Sequence, residues 1–222
     1  MKANWWKILG AVIVVYTIIA GILGSVPALP ILHESIRVVY FHVPMWFSML
    51  LLYLVSVIYS IKYLSSGKTE DDFVAVESVN VGLIFCLFGL LSGMFWANIT
   101  WGDYWPNDPK LNSSAIASLM YLAYVVLRNA INEEQKRAKI SAIYNIFAFP
   151  IMIVLLFILP RLTDSLHPGN GGNPGFSGYD MTGTMQWVFR PAVLGWILIG
   201  IWIMTLRYRL RKLEYQANEL DQ

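Results

Sequence analysis

The sequence predicts an all-α integral membrane protein, six transmembrane helices forming one membrane domain over residues 1–222. Charged residues make up 14% of the chain and mean hydropathy is +0.55, whereas a soluble domain carries about 25% charged residues. Six charge-poor stretches recur, on the scale of the roughly 20 residues that a helix needs to cross a bilayer. Lysine and arginine also fall unequally on the two sets of connections, which is the asymmetry that orients membrane helices.

The first span covers residues 8–29 and is closed by Gly24, Pro27 and Pro30. The start, MKANWWKILGAVIVV, has the charge pattern of a secretion signal. Its apolar run continues past Gly21 without a small-x-small cleavage site, so a retained span is expected. A short loop, HESIR, leads to a second span at 38–61, and a polar connection, KYLSSGKTEDDF, to a third at 74–97. Next comes a polar, tryptophan-bearing segment, 96–114, then a fourth span at 114–127. After NEEQKRAK the fifth span runs over 140–160, followed by a loop at 161–186 rich in Gly, Pro and Asn. The sixth, 187–206, holds Arg190, whose long stem can carry its charge to the interface. A basic tail, RYRLRKLEYQ, follows, and YQANELDQ reads as a frayed helical end.

Six helices put both termini on one side. Lys2, Lys7, Lys62, Lys68, Arg128, Lys136, Arg137, Lys139, Arg207, Arg209, Arg211 and Lys212 fall on that side, against Arg37, Lys110, Arg161 and Arg190 on the other. Twelve against four predicts cytoplasmic termini. The HESIR loop, the tryptophan segment and the Gly-rich loop then share the outer surface, where residues distant in sequence can converge.

Several chemistries are excluded. A net charge of +2, with basic residues in short loops, gives no footprint for nucleic acid. Cys86 is the single cysteine and lies in an apolar run; there is no C-x-x-C redox pair and no C-x-x-C-H attachment site, so it reads as a packing residue. No phosphate-cradling Gly-rich loop ends in Lys-Ser or Lys-Thr, and no G-x-S-x-G turn occurs. Glu34, Glu77, Asp103, Asp108 and Asp164 sit near span ends rather than arrayed through the bilayer as a proton relay requires.

The segment WANITWGDYWPNDPKLNSS gathers Trp96, Trp101, Tyr104 and Trp105 among Gly102, Pro106 and Pro109. Such a backbone cannot cross lipid, so it lies at a boundary or lines a protein-walled cavity. An interfacial aromatic belt accounts for one or two of these rings; a cluster this dense reads as a platform for a flat apolar ligand. All three histidines, His33, His42 and His167, belong to the outer side. Each alone is an ordinary interfacial residue. Two beside a tryptophan cluster are what axial ligation of a haem iron from both faces requires. His42, within a helix, is the stronger candidate, His167 the second, and His33 a substitute. Arg37, Lys110 and Arg161 are placed either for haem propionates or for lipid headgroups.

These residues resemble the tryptophan-rich WWD signature of the haem-handling cytochrome c assembly proteins, in the CcmC branch, whose core reads W-G-x-W-W-x-W-D-x-R-L-T-S. Trp101, Gly102, Trp105, Asp108, Leu111 and Ser113 keep that pattern, and Trp96 matches a tryptophan just upstream. SIRVVYFHVPMWFSM resembles the branch's R-I-x-Y-x-H-V-P stretch and SLHPGN its T-L-H-Q-G stretch, which places His42 and His167 at the two haem-ligand histidines. Tyr104, Asn107, Lys110 and Asn112 depart from the pattern. The resemblance implies a carrier rather than an enzyme, in a bacterial inner membrane with its site on the periplasmic face. Haem b would be held transiently as cargo and presented to a membrane-tethered haem chaperone, with ATP-binding-cassette transporter subunits as further partners. The His167 loop would release first. The alternatives are a CcsA-type cytochrome c haem lyase, a haem-based electron-transfer subunit and a haem-free permease subunit.

Overall fold

The computed structural model describes residues 4–29, 31–167 and 181–220, and every regular element among them is helical. The helices are α1 (Trp5–Leu23), α2 (Val39–Ser66), α3 (Thr69–Trp101), α4 (Pro109–Asn129), α5 (Glu134–Ile153) and α6 (Gly183–Leu220). A 3-10 turn, His33–Val38, leads into α2, and α5 continues through a π-helical stretch, Val154–Ile158, and a 3-10 turn, Leu159–Arg161. Six helices are long and apolar enough to cross a membrane, as expected.

The boundaries differ from the charge-free windows, each for a local reason. α1 stops at Leu23 rather than 29 because Gly24 turns to an extended conformation (ψ 157°) after its N–H has closed the last turn on Ala20. The HESIR loop is a 3-10 turn, not an open connection. The polar stretch at 62–73 is almost wholly helix. α2 runs to Ser66, and α3 starts at Thr69 with Glu70, Asp71 and Asp72 in its first turn, where the helix dipole favours acids. The basic tail is the final part of α6, which stays helical to Leu220 and rests the Tyr215 ring edge-on against Phe73 at 5.4 Å.

α2 and α3 form the centre of the bundle. Met49, Leu52 and Tyr53 from α2 meet Val76, Val79, Phe85 and Cys86 from α3, with Tyr121 and Tyr124 of α4, Met152 of α5 and Met204 of α6 closing round them. Tyr53 stacks on Tyr121 with ring centroids 3.6 Å apart. Cys86 is buried, its Sγ 3.0 Å from Ser118 Oγ, in keeping with a packing role.

At one end of the bundle, ionic side chains join the helices. Arg128 grips Asp72 through both guanidinium nitrogens, and both side chains are buried. Glu77, 1% exposed, receives Arg207 and Arg211 from α6. Arg128, Arg207 and Arg211 are therefore cross-braces between helices, not free loop and tail charges. The opposite end gathers the segments after α1, α3 and α5 and the start of α6. Ile36, Val39, Tyr40, Met181, Met185 and Phe189 pack there as a second apolar cluster, with Trp96 against it.

Candidate functional site

The last turns of α3 are the floor of this end. Gly102 closes the helix in the left-handed conformation (φ 80°), its N–H bonded to the Asn98 carbonyl, a position that a side chain would strain. The chain then runs unwound for only six residues, 103–108, before Pro109 starts α4. Thus Trp96 and Trp101, expected on an irregular platform, stand on the helix, while Tyr104 and Trp105 lie on the connection.

His42 lies in the first turn of α2 and faces α3. Its Nδ1 is 3.1 Å from Ser92 Oγ, and its ring stands edge-on to Trp46 at 6.2 Å and Trp96 at 5.9 Å. The approach requires a glycine: a Cβ on Gly93 would stand 2.7 Å from His42 Cε1. Trp96 is itself fixed, its indole N–H donating to Ser35 Oγ at 3.1 Å and so tying α3 to the 3-10 turn.

His167 lies at the last turn of α3, beside Trp101 and Asp108. Its ring lies 5.2 Å from that of Trp101, tilted by 57°. Asp108, 1% exposed, holds this loop to α4. Oδ1 accepts from the N–H groups of Lys110 (2.9 Å) and Leu111 (3.3 Å) as the cap of α4. Oδ2 accepts from Leu166 N at 2.7 Å, and His167 Nδ1 is 3.2 Å from Oδ1. Burial works to raise the pKa of Asp108. The His167 ring, the Leu166 N–H and the Ser165 hydroxyl outweigh it and hold the carboxyl well below the usual range, so it is a carboxylate at neutral pH.

His42 and His167 thus both border the last turns of α3, each beside a different tryptophan. Among the described residues no group of three or more His, Cys, Asp or Glu could hold a bare metal ion. Two imidazoles suit a metal that brings its own equatorial ligands, and an iron porphyrin, flat and apolar with two axial positions, fits that donor set.

The remaining candidates are placed less directly. Arg37 donates through Nη1 to the carbonyls of Gly21 and Gly24 and pairs with Glu34 at 3.1 Å, so it caps α1 as well as facing this end. His33 opens the 3-10 turn, exposed, with φ 46°. Tyr104 is exposed, edge-on to Phe95 at 5.9 Å. Two residues that depart from the WWD pattern work together: Asn112 donates to Asn107 at 2.9 Å and accepts the Trp105 indole N–H at 3.1 Å, clamping that ring. Most of the Gly-rich loop, 168–180, lies outside the described residues. Sequence reasoning missed Ser92, Gly93 and Ser35. A Ser-Gly pair one turn before Trp96 was the available signal, and within an apolar run it reads as packing.

Comparison with known proteins identifies the family. Residues 1–221 match the family model described as CcmC, Heme exporter protein C. The chain is 24% identical over 159 residues, 70% of its length, to "Heme exporter protein C" of Rhodobacter capsulatus. It is 22% identical over 175 residues, 79% of its length and 72% of the relative's, to the protein of that name from Paracoccus denitrificans. It is 34% identical over 110 residues, 49% of its length, to "Cytochrome c biogenesis protein CcsA" of Pelargonium hortorum. The matched stretches span 66% of the Rhodobacter protein and 34% of the Pelargonium one, less than two thirds of either. With a match that runs essentially end to end, the chain belongs to the CcmC, heme exporter protein C, family.

Proposed function

We propose that this protein holds haem, as cargo, between His42 and His167 at the outer face of a bacterial inner membrane, and presents it to a membrane-tethered haem chaperone for cytochrome c assembly. The observation that carries this is the placement of two imidazoles, from α2 and from the loop after α5, along the last turns of α3, each beside its own indole. Trp96, Trp101 and Trp105 supply apolar ring contact, and exposed Tyr104 marks the side open to a partner. Gly102 and Asp108 set the chain path. Arg37 offers a fixed guanidinium to a propionate, and ATP-binding-cassette subunits complete the assembly. The protein itself makes and breaks no covalent bond in this scheme.

The test is the visible spectrum of protein purified from haem-replete cells. Wild type should show the two-imidazole low-spin form, and His42→Ala and His167→Ala should each lose it. A His167→Ala protein that keeps that spectrum removes His167 as a ligand, and colourless wild-type protein favours a haem-free permease subunit. The relatives named CcsA favour a second reading, a haem lyase. Covalent cytochrome c formed on co-expression with apocytochrome alone, without the chaperone, would select it.

A further inference from the structure

We propose that Ser92 and Asp108 are positioning residues that fix His42 and His167 in one tautomer, hydrogen on Nδ1 and lone pair on Nε2, and make them unequal iron ligands. This rests on the two-histidine reading above and adds to it what orients each ring.

A neutral imidazole binds iron through its bare nitrogen, and the hydrogen bond made by the other nitrogen decides which one is bare. Ser92 has a single hydroxyl hydrogen, and the Phe88 carbonyl takes it at 2.7 Å, with the Gly89 carbonyl also near at 3.1 Å. The Ser92 oxygen therefore meets His42 Nδ1, 3.1 Å away, as an acceptor. An acceptor there requires N–H at Nδ1, which leaves Nε2 bare. Gly93 admits the ring to this hydroxyl, because a Cβ there would stand 2.7 Å from His42 Cε1.

Asp108 reaches the same result with different chemistry. It already accepts three backbone N–H groups, and toward His167 it presents a carboxylate oxygen as an acceptor. His167 Nδ1 is buried without an aligned hydrogen bond as the ring stands, and this carboxylate oxygen is 3.2 Å away. A small rotation of the ring brings an Nδ1–H onto it, again leaving Nε2 for iron. The two acceptors differ in charge. A carboxylate draws on the imidazole proton far more than a hydroxyl does and makes the opposite nitrogen a stronger donor. In the ferric state the weaker iron–nitrogen bond is then at His42. Asp108 also anchors the His167 loop at Leu166, so His42, not the loop histidine, is the ligand that exchanges on release.

The experiment adds haemin to the full-length protein in detergent and follows affinity, spin state and reduction potential. Ser92→Ala should bind haem about 10–100-fold more weakly, with part of it high-spin, and Ser92→Thr, which keeps the hydroxyl, should restore both. Asp108→Asn keeps a cap for α4 but lacks the charge. It should retain the low-spin spectrum while losing about tenfold in ferric over ferrous affinity, a rise in potential of about 59 mV. Wild-type affinity, spin state and potential in both Ser92→Ala and Asp108→Asn, with the low-spin form still lost in His42→Ala and His167→Ala, overturns the proposal and spares the haem reading. An unchanged spectrum in the histidine variants sinks that reading instead. Should Asp108→Asn fail to fold, ferric wild-type protein decides the inequality by electron paramagnetic resonance: a narrowed g-value spread supports it, and the spread of two neutral imidazoles overturns it.

Discussion

Around His42 the margin is less than one methyl group. Its ring sits against the bare backbone of Gly93, where a Cβ would come within 2.7 Å of Cε1. Overlap of that size moves something, and α3 is a packed helix, so the ring gives way. We expect Gly93→Ala to displace His42 from Ser92 and to convert low-spin haem to a high-spin form, with at least a tenfold loss of affinity on the scale of lost outer-shell contacts. Stability should change little, because the ring lies at the bundle's end. Arg37 tests differently, since it serves α1 as well as any ligand. Arg37→Ala should lower both the melting temperature and haem retention, and unchanged retention would leave it a helix cap alone. His42, Trp96 and Asp108 were legible in the sequence because histidine, tryptophan and acid are scarce in apolar runs and stand in a recognisable order. Ser92 and Gly93 were not: serine and glycine are ordinary packing residues in membrane helices, and only their distance to His42 gives them a role. The bond from Leu166 to Asp108 joins residues 58 apart, a separation that no local pattern encodes.

At the scale of the helix, a charge-free window finds the number of spans and misplaces their ends. For α3, α4 and α6 the cause is shared: acids and bases inside these helices are paired, so the helices continue through them. Asp72 in the first turn of α3 and Arg128 in the last turn of α4 are a two-pronged buried pair. Glu77 is two turns into α3 and receives both α6 arginines. Removing one member leaves a buried charge unpaired, which costs about 3–5 kcal/mol, whereas an apolar replacement of both is often close to neutral. Asp72→Ala should therefore destabilise the protein by that amount in detergent unfolding, and Asp72→Leu combined with Arg128→Met should recover most of the loss. Equal stability of the single and double variants would mean that the pair is incidental. The tryptophan segment shows the opposite error. It reads as nineteen irregular residues, 96–114, yet it is helix up to Trp101 and again from Pro109; Gly102 and the Asp108 cap make the break that short.

For the molecule as a whole, the pairing of basic residues bears on which way it faces. Twelve lysines and arginines on the side of the termini against four on the other predicted that the site end is external. Three of the twelve, Arg128, Arg207 and Arg211, are tied to buried acids. Twelve less three leaves nine against four, so the bias weakens without changing sign. The 3-10 turn after α1 and the end of α3 must lie on the same side of the membrane, because the Ser35–Trp96 hydrogen bond joins them. Cys86, the single cysteine in the chain, is buried between α3 and α4, so replacing it by alanine gives a silent background for labelling. In that background Asp103→Cys, on the connection before α4, should react with an impermeant maleimide in intact spheroplasts. Asn132→Cys, on the exposed turn between α4 and α5, should react only after the membrane is opened. The reverse pattern would place the imidazoles, the indoles and the Asp108 loop in the cytoplasm, where no periplasmic chaperone could reach the haem they hold.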